Sequence, residues 1–264
     1  MFDKILSLNP LLQALLATLF TYSITALGAS IVFFLKKINK TFMDGMLGFA
    51  AGIMIAASFF SLLLPSINIT KELNINTPIF ILLGFIGGGL LLYIGDKIYD
   101  KLEKNKSKKD SFKRAIMLMS SITLHNIPEG MAIGVAFGSV IYGINGANLI
   151  SAWTLALGIG LQNFPEGSAV SMPLRREGFS LKKSFFLGQL SGIVEPISGI
   201  IGTLLVIKIR LLLPILLSFA AGAMIYVVIE ELIPESQTNT QKSLMALFTL
   251  FGFSLMMILD VTLG

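Results

Sequence analysis

Leu124-His125-Asn126-Ile127-Pro128-Glu129-Gly130 and Leu161-Gln162-Asn163-Phe164-Pro165-Glu166-Gly167 are two copies of one motif, 37 residues apart. Five of the seven positions are identical, and Gln162 stands where the first copy has His125. Each copy lies in a long apolar run, and one loop joins the two runs. Two membrane spans joined by one loop run antiparallel. The same motif on antiparallel helices implies a pseudo-two-fold axis in the membrane plane, the inverted repeat of many transporters. Solenoid repeats need more copies.

The rest of the chain points to a bilayer as its solvent. Of the 264 residues, 54% are hydrophobic and 13% charged, whereas soluble domains carry about 25% charged residues. The mean hydropathy is +0.82. This composition excludes an ordinary soluble domain, a disordered chain and a fibrous repeat. Eight spans are predicted, at about 10–35, 43–65, 78–99, 113–139, 148–172, 181–207, 211–233 and 242–262. Each has roughly the 20 residues that cross about 30 Å of hydrocarbon. The expected fold is therefore all-α and integral to the membrane, one domain over residues 1–264 with a basic loop at about 100–112. Asn9 and Pro10 suit the cap and first position of span one, and Thr77 and Pro78 those of span three. Pro65 is expected to end span two. The first run is too long for a signal-peptide core, and no clean cleavage site follows it.

Charge gives the orientation. The net charge is +5, with a pI near 9.4. Sixteen of the 20 basic residues fall in the loops after spans one, three, five and seven, eight of them between Lys97 and Arg114. Only Lys4, Lys71, Lys208 and Arg210 lie on the other side. The positive-inside rule then puts both termini outside and the basic loops in the cytoplasm. The excess positive charge reads as a topology signal, and no nucleic-acid partner is expected. The stretch Lys101–Lys109 can also meet anionic lipid.

Five glutamates fall inside the spans: Glu129, Glu166, Glu195, Glu230 and Glu231. A carboxylate at mid-bilayer costs at least about 2.5–3.5 kcal/mol on insertion scales, so it is a functional-site hypothesis by default. A helical rise of about 1.5 Å per residue puts Glu129 about 24 Å and Glu166 about 9 Å from the cytoplasmic side, averaging near the midplane. His125 and Glu129 are four residues apart and share one helix face, as do Gln162 and Glu166. Pro128, Pro165 and Pro196 free the carbonyls of Leu124, Leu161 and Gly192. Gly130 and Gly167 allow close helix approach, as do the glycines of Gly84-Phe85-Ile86-Gly87-Gly88-Gly89.

Three crowded carboxylates need protons or a cation to neutralise them. With no cysteine and one histidine, any metal site must use mostly oxygen ligands. Imidazole, amide and carboxylate donors suit Zn²⁺ or a harder divalent ion such as Mn²⁺. The sequence contains no H-E-x-x-H, G-x-S-x-G or Walker A motif, so neither a hydrolase nor an ATP-driven pump is expected. A non-transporting receptor or scaffold with a structural metal, an intramembrane metallo-hydrolase and a carrier of monovalent ions are the alternatives to a divalent-metal transporter. No prosthetic group is expected.

The paired motifs His125–Gly130 and Gln162–Gly167 resemble the ZIP family of divalent-metal transporters, in its GufA-type branch near the ZIP11 group. The resemblance extends over the whole chain. It implies a binuclear centre on spans four, five and six. His125, Glu129, Gln162 and Glu166 would hold one ion. Asn126, Glu129, Asn163, Glu166 and Glu195 would hold the second, with Glu129 and Glu166 bridging. Met54 would lie near the first ion, Ser61 along the path, and Glu230 and Glu231 on the cytoplasmic exit. The resemblance further implies inward transport of zinc or a similar ion (Mn²⁺, Fe²⁺, Cd²⁺ or Cu²⁺), alternating access between two bundles of spans, a homodimer and a plasma-membrane location. Two features depart from many members: Gln162 and Asn163 replace a histidine-rich motif, and the loop between spans three and four is lysine-rich rather than histidine-rich.

Overall fold

Short polar side chains set many of the helix starts. Asn9 accepts from Leu12 N at 2.8 Å, Asn39 from Thr41 N at 2.9 Å, Asn76 from Ile79 N at 3.2 Å and Asn148 from Ser151 N at 2.9 Å. Each satisfies a first-turn amide that has no intrahelical partner. Asn76, not Thr77, caps the third helix, because the helix begins at Thr77 itself.

The structure, a computed structural model, describes residues 9–34, 39–104, 111–143, 148–176 and 178–263; for 99–104, 111–122, 124, 125, 176, 210 and 263 it describes the backbone alone. Among the described residues every regular element is helical. We label the eight helices α1 (Pro10–Phe34), α2 (Lys40–Glu72), α3 (Thr77–Lys104), α4 (Ser111–Ser139), α5 (Leu149–Arg176), α6 (Leu181–Lys208), α7 (Leu213–Ser236) and α8 (Lys242–Leu263). Among the described residues, six of them are long and apolar enough to cross a membrane. The other two, α4 and α5, carry the polar motif residues.

Pro65 does not end α2. A π-helical turn over Ser58–Leu63 precedes it, and the helix continues to Glu72. A proline lacks the N–H that the preceding turn expects, and a wider turn absorbs the mismatch. The same device recurs in α7, where a π-helical turn over Val228–Leu232 precedes Pro234.

That recurrence belongs to a second repeat. Phe49-Ala50-Ala51-Gly52-Ile53-Met54-Ile55 of α2 matches Phe219-Ala220-Ala221-Gly222-Ala223-Met224-Ile225 of α7 at six of seven positions, 170 residues apart. The packing obeys the same relation. The most extensive contacts are α1 with α5, α4 with α6, α2 with α8 and α3 with α7. Exchanging α1 with α6, α2 with α7, α3 with α8 and α4 with α5 leaves this set unchanged.

Glycines set these close contacts. A Cβ on Gly252 would strike the carbonyl of Phe49, and one on Gly88 that of Phe219, the equivalent residue. Gly28 lies against Phe164 and Gly167 against Thr25, joining α1 to α5. Gly130 meets Glu195 and Gly134 meets Gly199, joining α4 to α6. In lipid, helices gain little from hiding apolar surface from one another, so such backbone-to-backbone packing holds them together. Two hydrogen bonds tie α2 to α7. Ser66 Oγ donates to Pro214 O, and Ser236 Oγ donates to Asp44 O, each at 2.7 Å. They too are related by the 170-residue step, one at each end of the bundle. Of the six apolar helices, α3 and α8 are the least buried.

Candidate metal centre

The site lies where α4, α5 and α6 meet α1. Helix α4 supplies Asn126 and Glu129, α5 supplies Gln162, Asn163 and Glu166, and α6 supplies Glu195; all six side chains are buried. Pro128 and Pro165 sit inside α4 and α5 without ending them. Helix α6 tightens into a 3₁₀ turn at Ser191–Ile193, just before Glu195 and Pro196. The His125 side chain lies outside the described residues.

Three amides in the site each point their nitrogen at a fixed acceptor. Gln162 Nε2 donates to Glu129 Oε1 at 2.5 Å. Asn163 Nδ2 donates to Glu195 Oε1 at 2.9 Å and reaches Thr21 O at 3.4 Å. Asn126 Nδ2 donates to Ser191 O at 3.0 Å. The Asn126 and Asn163 bonds to backbone oxygen are equivalents, because Ser191 follows Thr21 by the same 170 residues. An amide whose nitrogen is committed must turn its oxygen the other way.

The result is a set of oxygens with no donor. Asn126 Oδ1, Glu129 Oε2, Gln162 Oε1, Asn163 Oδ1 and Glu166 Oε2 are all buried without a hydrogen-bond partner. An unpaired buried acceptor is costly, and native proteins keep few of them without a reason. Here five fall on five of the seven residues expected to hold metal. Glu129 also lies within electrostatic reach of Glu166 and Glu195. A donor would satisfy one such oxygen at a time; a cation satisfies several and offsets their charge. Among the described residues, no three His, Asp or Glu side chains stand at metal-holding spacing. The gathered oxygens are amide as much as carboxylate, a hard donor set suited to a divalent ion.

The residues expected along the path are divided. Met54 is fully buried in α2, and its repeat mate Met224 is fully buried in α7. Ser61 lies in the α2 π-helical turn and donates to Asp260 Oδ1 of α8 at 2.7 Å. Both line a cavity of about 360 Å³ with Asn68, Asn148 and Ser151. Glu231, the repeat mate of Ser61, lies within electrostatic reach of Glu166, whereas Glu230 is exposed.

The span reading missed Asp260, whose Oδ2 is also buried without a partner. It missed Asp96 of α3 as well, where Oδ2 is in the same condition. Each follows its paired glycine, Gly88 or Gly252, by eight residues; Asp260 stands near the end of an apolar helix, and Asp96 where the apolar run of α3 gives way to Lys97, Asp100 and Lys101. A lone carboxylate in an apolar run was the available signal for Asp260, whereas Asp96 reads as the first residue of the charged end of α3.

A family profile described as ZIP Zinc transporter matches residues 100–260. Zinc transporter ZIP11 of Xenopus tropicalis is 37% identical, covering 97% of this chain and 98% of the relative. Zinc transporter ZIPB of Bordetella bronchiseptica is 35% identical, covering 92% and 79%. Zinc transporter GufA of Myxococcus xanthus is 31% identical, covering 95% and 98%. The chain belongs to the ZIP family of zinc transporters. It is a multi-pass membrane protein whose work is metal-ion transport rather than catalysis.

Proposed function

We propose that this protein carries zinc, or a similar divalent ion, towards the cytoplasm through the site on α4, α5 and α6. The observation that carries the reading is the set of five buried acceptor oxygens without donors. His125, Glu129, Gln162 and Glu166 hold one ion. Asn126, Glu129, Asn163, Glu166 and Glu195 hold the second, with Glu129 and Glu166 bridging. Three glutamates around one divalent ion leave a net charge of −1, and around two ions +1. Either state is better tolerated in low dielectric than −3.

The packing supports alternating access between two groups of helices. Helices α1, α4, α5 and α6 form one group, and α2, α3, α7 and α8 the other. The first group carries every proposed ligand, and Met54, expected near the first ion, lies in the second. Movement of one group against the other exposes the site to each side in turn. The basic-loop count supports both termini lying outside, with Ser61 and Asp260 on the outer approach and Glu231 on the inner exit. The plasma membrane is the proposed location and a homodimer the proposed assembly. The zinc transporters among the relatives support zinc as cargo. The oxygen-rich donor set favours testing Mn²⁺, Fe²⁺, Cd²⁺ and Cu²⁺ beside it.

Purified protein in proteoliposomes should take up radioactive zinc, with the panel ions competing. Glu166→Ala should insert normally and lose uptake. Normal uptake by that variant would sink the assignment of the site. Zinc binding without flux in the wild type would favour a receptor instead.

A further inference from the structure

Glu195 differs from the other two carboxylates of the site. Glu129 and Glu166 each keep one oxygen with no donor, but neither oxygen of Glu195 lacks one. Thr21 Oγ1 of α1 donates to Glu195 Oε2. Thr25 Oγ1 donates to Oε1 at 3.4 Å, and Asn163 Nδ2 donates to the same oxygen at 2.9 Å. Both threonines are buried, and their four-residue spacing points both hydroxyls from one face of α1.

A buried helix threonine ordinarily returns its hydroxyl to its own backbone, as Thr18 does to Ala14 O at 2.8 Å. Thr21 and Thr25 also have such carbonyls in reach, Thr18 O at 3.0 Å and Thr21 O at 3.3 Å. Each hydroxyl has one hydrogen, and a carboxylate holds it more strongly than a neutral carbonyl.

The inverted repeat explains the pairing. Thr25 and Glu195 are 170 residues apart, so they are mates and meet across the pseudo-two-fold axis. The other mirrored ligand pairs are His125 with Gln162, Asn126 with Asn163 and Glu129 with Glu166. Two glutamates at the Thr25–Glu195 contact would repel. A hydroxyl facing a carboxylate is complementary.

We propose that Thr21 and Thr25 are positioning residues that fix Glu195 and so decide whether the site holds one ion or two. A carboxylate has about four acceptor positions. Three are taken, two on Oε1 and one on Oε2. Glu195 therefore offers the second ion a single bond, through Oε2, aimed by Thr21. The first ion is bound by residues the threonines do not touch. This rests on the proposed reading of the site as the metal cage.

The test is equilibrium dialysis of the full-length protein in detergent against zinc, with bound metal counted by elemental analysis. Wild type should bind two ions per chain. The double variant Thr21→Val/Thr25→Val keeps the shape of both side chains and removes both donors. It should keep the first ion at wild-type affinity and hold the second about 10–100-fold more weakly, the usual effect of losing hydrogen bonds to a ligand. Thr21→Ser/Thr25→Ser should restore the second ion. Should the double valine variant fail to fold, the single valine variants should show the same selective loss in part. Unchanged second-ion binding in the valine variants, equal loss of both ions, or failure of the serine variant to restore binding would each overturn the proposal. A wild type that binds only one ion also overturns it, yet leaves the cage intact. A wild type that binds none refutes the cage, and the proposal with it.

Discussion

Replacing Asn163 by Asp exchanges the donor that faces Glu195 for a second acceptor. The 2.9 Å bond from Asn163 Nδ2 to Glu195 Oε1 is lost. A hydrogen bond to a charged group is worth about 1.5–3 kcal/mol. In its place two carboxylates face each other; at about 4 Å and an effective dielectric of about 20, their repulsion is about 4 kcal/mol. Together these terms come to about 5–7 kcal/mol, a large share of the roughly 5–15 kcal/mol that stabilises a typical domain. Without metal, Asn163→Asp must take up a proton or loosen the α5–α6 contact. With a divalent ion bound in the proposed cage, the same carboxylate would become a ligand. Asn163→Asp should therefore melt below wild type in chelator and gain more from added zinc. Recovering even about 1.4 kcal/mol of the repulsion raises zinc affinity tenfold. The assay is thermal unfolding in detergent, followed by the fluorescence of the single tryptophan, Trp153, across a zinc series. Stabilisation should rise with the logarithm of zinc concentration as linkage requires. A variant with wild-type melting in chelator and no larger zinc response would refute the placement of Asn163 in the cage.

Helix packing offers a sharper contrast between adjacent glycines. Gly88→Ala drives a Cβ into the Phe219 carbonyl and should lower stability by about 1–3 kcal/mol, whereas a Cβ at Gly87 meets only Phe219 Cδ2 at 3.8 Å and Gly87→Ala should be tolerated in the same melting assay. Ser66→Ala and Ser236→Ala should each cost about 0.5–1.5 kcal/mol, with similar values because the two bonds are related by the repeat. Asp260→Asn keeps an acceptor for Ser61 but removes the charge from the cavity that the two residues line. Initial uptake rates should then show a higher half-saturating zinc concentration and a nearly unchanged maximum.

The helices could be read because the bilayer demands long apolar runs, and the site because polar residues in such runs are conspicuous. Glu129, Glu166 and Glu195 stand out against leucine and isoleucine, and the paired motif gave their relation. The α2–α7 repeat was equally present in the sequence, but Phe49-Ala50-Ala51-Gly52 has the same apolar character as its surroundings. Only the matching glycine contacts give it meaning. Pro65 read as a terminus because a proline usually ends a helix, and nothing local announces the π-helical turn that carries α2 past it. Thr21 and Thr25 were illegible for another reason. Ser23, between them, donates to its own helix at Leu19 O. Nothing in the order of residues distinguishes a hydroxyl that turns inward to α6 from one that does not.

Helix α2 has 33 residues. At about 1.5 Å each it is about 50 Å long. Even at a tilt of about 40° it rises about 38 Å, against about 30 Å of hydrocarbon. Its ends must therefore stand among the lipid headgroups. Asn68, which lines the cavity with Asp260, stands about one helical turn from the Glu72 end, which on the proposed reading lets the interface wet the cavity. On the proposed path, an arriving ion would exchange its hydration shell stepwise for Asp260 and Ser61 without first crossing oil. On that reading hydrophobic mismatch bears on uptake: lipids with longer acyl chains would draw the cavity towards the hydrocarbon and slow uptake, even with every ligand in place.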